Sequence, residues 1–175
     1  MERDAIKELL EEKAGALFVY FENQEEEKWT EGPKNKWTSG QQVLHLLQSI
    51  KPLNTELSLP KFLLRTRYGT SNREARDYDT IVNRYHERLE MSKGITYGPS
   101  QNMKVPKLKE KEYLLNRLLT EYRKLEYKTV NKWSDKDLDH HILPHPLMGK
   151  MPVRELIMWT AYHTEHHLKT LQNNY

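Results

Sequence analysis

Apolar residues recur at steps of three and four along the first part of this chain. Between residue 2 and about residue 28, the repeating positions are Ile6, Leu10, Ala14, Leu17 and Phe21. An α-helix completes a turn in about 3.6 residues, so this spacing gathers the side chains on one helical face. A helix with an apolar face must bury it against another element, which in a helical chain is a second helix.

Capping residues and prolines indicate where a second helix begins and ends. The sequence EGPKNK (31–36) interrupts the first helix. Thr38 then precedes Gln41 by three positions, which is the spacing of a capping box, where each side chain binds the backbone N–H of the other residue. This predicts a helix over roughly 39–51, and Pro52 is expected to end it because proline disrupts helix interiors.

The rest of the chain divides in the same way into helices and breaks. The predicted helices are a short one at 60–69, one from SNRE (71–74) to about residue 92, one at 109–132, a short one beginning at 134–137, and a final one from Pro152 to about Gln172. The segments 93–108 and 143–152 are expected to be loops, and a loop as long as the first is usually functional or mobile.

The sequence contains no signal for β-structure, since runs of β-branched residues and two-residue hairpin turns are missing. We therefore predict an all-α fold, a four-helix bundle with one or two short extra helices. A single domain over residues 1–175 is expected, because this length is sufficient for one hydrophobic core. The charged fraction of 30% fits helices whose outer faces are solvated.

Charge and cysteine content narrow the possible functions. The 28 Lys and Arg are interspersed with 25 Asp and Glu, so no basic arm or stripe predicts nucleic-acid binding. No apolar run approaches the roughly 20 residues of a membrane-spanning helix. The charged start MERDAIKELLEE is unlike a signal peptide, and the lack of cysteine excludes disulfides and thiolate ligands. These features predict a cytoplasmic protein without nucleic-acid or membrane partners.

Three of the eight histidines lie within five residues of one another on the final helix, in WTAYHTEHHLKTLQ (159–172). The apolar stripe of this helix is centred near Val153 if each residue advances about 100° around the axis. On this wheel His167 lies about 40° and His163 about 80° from the centre, whereas His166 lies about 140° away. We therefore predict that His163 and His167 point inward and that His166 points to solvent.

The inward pair has two possible interpretations. Imidazoles at positions i and i+4 are neighbours on a helix, and one cation can bridge them. The sequence HTEHH nevertheless differs from the H-E-x-x-H motif of metalloproteases, and Glu165 points outward, which disfavours a protease. Tyr162 and Glu155 are expected on the solvent side with His166. From this helix alone, a metal-binding pair and a pair of hydrogen-bonded histidines are both open.

A metal ion would need a third ligand, and His45 is a candidate in VLHLLQSI. The apolar stripe of that helix runs through Val43, Leu47 and Ile50, and His45 lies about 140° from it, which favours a structural role. His145 would lie near the site if the 143–152 loop folds over the start of the final helix, although a packing role is favoured there too. Solvated positions are expected for the other histidines: His86, His140 and His141.

Three stretches together resemble a known family. WTSGQQVLHLLQSIKPLN (37–54) is similar to its Trp–Ser/Thr helix start followed by His-Leu. LPHPLMGKMPVRELIMWTAYHTEHHLKTLQ (143–172) is similar to its His-Pro…Gly-Lys loop and its final histidine-rich helix. NREARDYDTIVNRYHERLE (72–90) resembles a variant with Asn-Arg before Tyr-Asp. The order and spacing of these stretches resemble the DinB/YfiT-like superfamily of metal-dependent enzymes.

The resemblance implies an up-down-down-up four-helix bundle, often a homodimer, with a divalent metal, commonly zinc or nickel. Carried over by position, the ligands are His45, His163 and His167. Three neutral imidazoles leave an open position, as in catalytic zinc sites. The resemblance implies a transferase that joins a low-molecular-weight thiol to an electrophile, or a hydrolase of small molecules. The alternative is a metal-binding or stress-associated bundle protein without turnover.

Overall fold

The computed structural model describes residues 1–92, 100 and 102–175. The elements are α1 (Arg3–Asn23), α2 (Glu27–Thr30), α3 (Ser39–Glu56), α4 (Lys61–Tyr68), α5 (Tyr78–Met91), a 3-10 turn (Leu108–Glu110), α6 (Lys111–Asn131), α7 (Asp135–His140), strands β1 (Ile142–His145) and β2 (Gly149–Pro152), and α8 (Val153–Asn174). The predicted all-α class is confirmed, with a two-stranded sheet as the described exception. Among the described helices, none is both long and apolar enough to cross a bilayer.

Helices α1, α6 and α8 pack side by side, and their contacts fix their directions. Near the start of both α1 and α8, the Arg154 guanidinium donates to the carbonyl of Met1 at 2.5 Å. Farther along both helices, Lys13 pairs with Glu165 at 3.7 Å, so α1 and α8 are parallel. By contrast, α6 is antiparallel to α1, because its last residues approach the start of α1, where Arg3 donates to the carbonyl of Trp133 at 3.2 Å.

Helix α3 completes the bundle between α6 and α8. The side-chain amide of Asn54, near the end of α3, donates to the carbonyl of Glu121 at 2.8 Å, at the middle of α6. The start of α3 lies near the segment before α6, since Gln41 donates to the carbonyl of Met103 at 2.7 Å. Helices α3 and α6 are therefore parallel to each other and antiparallel to α1 and α8, and the up-down-down-up order is confirmed.

The predicted apolar stripe of α1 forms part of the core, and all of its members are buried: Ile6, Leu10, Ala14, Leu17 and Phe21. Burying each of the four larger side chains contributes about 1.5–3 kcal/mol to stability. Helix α1 ends at Asn23 rather than near residue 28, and the short α2 follows it. Helix α2 places Trp29 in the core, where the indole N–H of Trp29 donates to the carbonyl of Lys107 at 3.1 Å.

The predicted capping box at the start of α3 is confirmed, since Thr38 and Gln41 bind each other's backbone N–H. The predicted end at Pro52 is wrong, because α3 continues to Glu56. Pro52 lies on the exposed side of the helix, where water can satisfy the carbonyl that loses its partner. The next turn is held by burial of Leu53 and Asn54, so tertiary packing overrides the local effect of proline.

The predicted start of α5 at SNRE is also wrong. Ser71 donates to the carbonyl of Arg73 at 2.8 Å instead of capping a helix. Helix α5 begins at Tyr78, where the carboxylate of Asp77 accepts from the N–H of Thr80 at 2.7 Å. The intervening residues stay non-helical because Arg73 and Arg76 bind the carboxylate of Glu155 on α8.

The 143–152 segment, predicted as an ordered loop, contains a β-hairpin. Strands β1 and β2 pair antiparallel, from Ile142 opposite Pro152 to His145 opposite Gly149. Each strand has four residues, one of them a proline, so the strands are too short and too atypical for the sequence pattern to reveal.

Of the other predicted short elements, 60–69 and 134–137 are confirmed as α4 and α7, whereas α2 and the 3-10 turn were not predicted. Residues 93–99 and 101 of the predicted 93–108 loop lie outside the described residues.

Candidate metal centre

Helices α3 and α8 bring His45, His163 and His167 together at the level of the bundle core. The Nε2 atom of His163 lies 3.2 Å from Nε2 of His45 and 2.9 Å from Nε2 of His167. One nitrogen from each ring lies within 4.8 Å of the others. The third histidine that the resemblance implied therefore adjoins the pair that the helical wheel selected.

The spacing of these nitrogens fits a small divalent cation. Zinc–imidazole bonds of about 2.0–2.1 Å at tetrahedral angles separate ligand nitrogens by about 3.3 Å. The contacts at 3.2 and 2.9 Å are close to that separation. Three lone pairs that face one another repel unless a proton or a cation lies between them. The cluster can therefore hold a metal ion.

Hydrogen bonds to residues outside the cluster, here called outer contacts, orient two of the three rings. Nδ1 of His167 is hydrogen-bonded to the side-chain oxygen of Gln42, which is buried. Because an amide oxygen only accepts, Nδ1 carries the proton, and the lone pair of Nε2 faces the cluster. Nδ1 of His45 lies 2.9 Å from the hydroxyl of Ser100. Such outer partners fix the tautomer and orientation of metal-binding histidines.

Burial keeps the three imidazoles neutral. Burial, and secondarily the neighbouring imidazoles, hold the pKa values of His163 and His167 well below the ordinary value. The pKa of His45 falls to about 4, mainly through burial and also through His166. The neutral imidazole is the form that binds metals, so protons compete weakly for these nitrogens at neutral pH.

Two tryptophans form walls beside the cluster. The Trp159 ring stacks on His163 with centroids 4.5 Å apart and planes 19° apart. The Trp37 ring lies 4.9 Å from the His45 ring and is nearly parallel to that of His167 at 6.4 Å. These apolar surfaces limit water near the histidines and strengthen electrostatic interactions there.

His166 lies outside the cluster and is partly exposed, as the wheel predicted. Its ring lies 5.9 Å from Tyr85 and 6.5 Å from His86. The companion prediction, that Tyr162 and Glu155 lie on the solvent side, is wrong, since both are buried. The wheel treats the rest of the protein as lying on one side of α8, whereas α5 and the segment before it cover a second side.

The wheel also misjudged His45, because it does not show that α8 covers a flank of α3 outside the apolar stripe. The buried positions of α3 include Val43, Leu46 and Ile50, whereas Leu47 is only partly buried. His45 lies about 130° from the centre of this stripe, and it is half-buried because it faces His163 on α8. Because α3 is apolar almost all round, its sequence does not show which face is buried.

The remaining histidines have other partners. The Nε2 atom of His86 lies 2.5 Å from the hydroxyl of Tyr162. His141, predicted to be solvated, is buried because its Nδ1 donates to the carbonyl of Asp137 at 3.0 Å. The ring centroids of His145 and Trp159 lie 4.1 Å apart, so the hairpin does bring His145 near the cluster. Sequence reasoning missed Gln42 and Ser100, since an isolated Gln or Ser carries no pattern that marks an outer contact.

The fold and the cluster define a helical bundle with three histidines placed to hold a metal ion. The family model of the DinB superfamily matches residues 9–171, and the chain belongs to that superfamily. The match covers the bundle from α1 to α8, including all three histidines. No curated protein matches the chain, and no solved structure does.

Proposed function

We propose that His45, His163 and His167 bind one divalent metal ion, zinc or nickel, and that the protein is a metal-dependent enzyme acting on small molecules. The observation that carries this proposal is the convergence of three Nε2 atoms, with neighbours of His163 at 3.2 and 2.9 Å. The three ligands are neutral, and within the described part of the chain no fourth ligand joins them, which is the arrangement of catalytic rather than structural zinc sites.

A divalent ion in such a site lowers the pKa of a coordinated water or thiol and so supplies a nucleophile at neutral pH. The protein's own residues orient the ligands and restrict water. Gln42 and Ser100 hold the rings of His167 and His45, and Trp37 and Trp159 cover the cluster with apolar surface. The half-buried His45 marks the side from which a substrate can approach.

Two reactions use this arrangement, and both are open to direct assay. One is transfer of a low-molecular-weight thiol to an electrophile, and the other is hydrolysis of a small ester or amide. The chain has no cysteine, so in a transferase the thiol would arrive as a substrate. The substrate is a small molecule in both cases, because the cluster is enclosed by side chains rather than spread over a surface.

Metal analysis of the purified, untagged wild-type protein is the first test of this proposal. We expect about one zinc or nickel ion per chain after incubation with the metal and removal of the excess, as the three-histidine site implies. The loaded protein is then assayed with thiols plus electrophiles and with esters. A protein that takes up neither metal contradicts the proposal. A loaded protein inactive in every assay supports a metal-binding role without turnover.

Replacing Gln42 by leucine tests the outer contact to His167. We expect zinc affinity to fall by about 10–100-fold, because His167 loses the acceptor that fixes its tautomer and orientation. Competition with a chromophoric chelator measures the change. Gln48, exposed on the same helix, provides the matched control Gln48→Leu, for which no change is expected. Equal affinities in the two variants would show that Gln42 does not position the ligand.

A further inference from the structure

The side of His163 that faces Trp159 carries a second set of polar groups that the proposed metal centre does not use. The centroid of the Trp159 ring lies 4.5 Å from that of His163 and 4.1 Å from that of His145, so the indole packs against both imidazoles. His145 comes from the end of β1, whereas His163 and Trp159 come from α8. The hairpin thus adds an imidazole beside the cluster without making it a ligand.

Backbone contacts fix which nitrogen of His145 carries the proton. The N–H groups of Leu147 and Met148 donate to its Nδ1 at 3.1 and 3.0 Å. A nitrogen that accepts two hydrogen bonds carries no proton, so the proton of the neutral ring is on Nε2. That atom lies on the far side of the ring from the hairpin turn. His145 is partly exposed, so a small ligand can reach part of its ring.

The indole N–H of Trp159 is a second donor beside the cluster. The residue is 6% exposed, and its Nε1 has no hydrogen-bond acceptor among the described residues. A buried donor without a partner destabilises the folded state, and native proteins contain few of them. An acceptor atom from a ligand would remove that destabilisation. The ring that carries this N–H is the one packed against both His145 and His163.

We propose that His145 Nε2–H and Trp159 Nε1–H form a subsite for the carboxylate of a small-molecule ligand beside the metal centre. The inference rests on the proposed function, since it places the ligand next to the metal that His163 would bind. A carboxylate has two acceptor oxygens and can satisfy two donors at once. The three neutral ligands also leave the charge of a divalent ion uncompensated, which favours an anion over a neutral amide.

The charge state of His145 agrees with a donor role. Burial lowers its pKa to about 4. At neutral pH the ring is therefore uncharged and keeps one N–H, on Nε2. A general base would need a free lone pair, and the one on Nδ1 is occupied by Leu147 and Met148. His145 accordingly binds and orients rather than transfers protons.

Two substitutions separate the ligand contact from the structural role of His145. In His145→Asn the side-chain oxygen can still accept the turn N–H groups, as Nδ1 does, but no donor reaches the Nε2 position. In His145→Gln the amide nitrogen reaches the Nε2 position, but the acceptor for the turn is lost. A purely structural histidine would tolerate Asn better than Gln, and a ligand-binding one would show the reverse order.

The experiment is a titration of zinc-loaded, nitrogen-15-labelled protein with sodium acetate, with sodium chloride at equal ionic strength as the control. The four tryptophans give four indole N–H signals, and Trp159→Phe identifies the one from Trp159. We expect acetate to shift this signal downfield in a saturable way. The acetate dissociation constant should rise about 10–100-fold in His145→Asn, the effect of losing one hydrogen bond to a charged group, and less than about threefold in His145→Gln.

Zinc content is measured on every sample before the titration. Wild-type protein that takes up neither zinc nor, in a parallel loading, nickel contradicts the metal centre itself, and the subsite with it. Zinc-loaded protein whose Trp159 signal does not respond to acetate contradicts only the subsite. A response of equal strength in wild type and His145→Asn would show that acetate acts through the metal alone and that His145 packs against Trp159 without binding the ligand.

Discussion

Replacing His163 by alanine is expected to abolish stoichiometric metal binding. Its Nε2 is the central atom of the cluster, close to Nε2 of both His45 and His167. Without His163, only the imidazoles of His45 and His167 remain, and the nitrogen that lies near both of them is gone. Loss of an outer contact alone lowers metal affinity by about 10–100-fold, so loss of a ligand should exceed about 100-fold. Elemental analysis after dialysis against micromolar zinc measures the result.

The matched control is His166→Ala, which removes an imidazole three residues away on the same helix. His166 is partly exposed and lies outside the cluster, so one metal ion per chain should remain. Equal metal loss in both variants would mean that the histidine-rich helix binds cations nonspecifically. Retention of the metal ion in both variants would mean that the ion binds elsewhere in the protein. Circular dichroism of each variant verifies that α8 is still folded.

Much of the bundle could be predicted from sequence because its signals are local. The stripe from Ile6 to Phe21 repeats with helical period, and the Thr38–Gln41 capping box lies within one turn. Both are confirmed. The β-hairpin was missed because its strands are short and interrupted by proline. Its pairing also depends on the surrounding helices, with Val153 at the start of α8 donating to the carbonyl of His141 at 2.9 Å.

The candidate site was predictable only in part, for a related reason. The phase of α8 alone selects His163 and His167, because both lie on the flank of its apolar stripe. His45 belongs to another helix, and a wheel drawn on α3 cannot show which neighbour covers its flank. The resemblance supplied that residue. Gln42 and Ser100 become visible only when the rings of His167 and His45 are in place.

Glu155 is the buried charge whose removal is expected to cost the most stability. Its side chain is 1% exposed, and its carboxylate accepts from both guanidinium groups of Arg73 and Arg76 and from the backbone N–H of Arg76 at 2.7 Å. These bonds attach the segment before α5 to the start of α8. Removing one partner of a buried ion pair typically costs about 3–5 kcal/mol.

For Glu155→Ala we expect the free energy of unfolding to fall by about 3 kcal/mol, the lower end of the range for a broken buried ion pair. The arginines are 32% and 29% exposed, so water can partly solvate them after the carboxylate is gone. Urea unfolding at fixed metal content measures the loss, since bound metal would otherwise add to stability.

The control for this prediction is Glu165→Ala on the same helix. Glu165 also pairs with two cations, Lys13 at 3.7 Å and Lys169 at 2.8 Å, but its side chain is 23% exposed. Ion pairs of this more solvated kind contribute about 0–1 kcal/mol, so the control should unfold close to wild type. If both variants lose the same stability, burial does not distinguish the two carboxylates. The segment before α5 would then be held by packing rather than by Glu155.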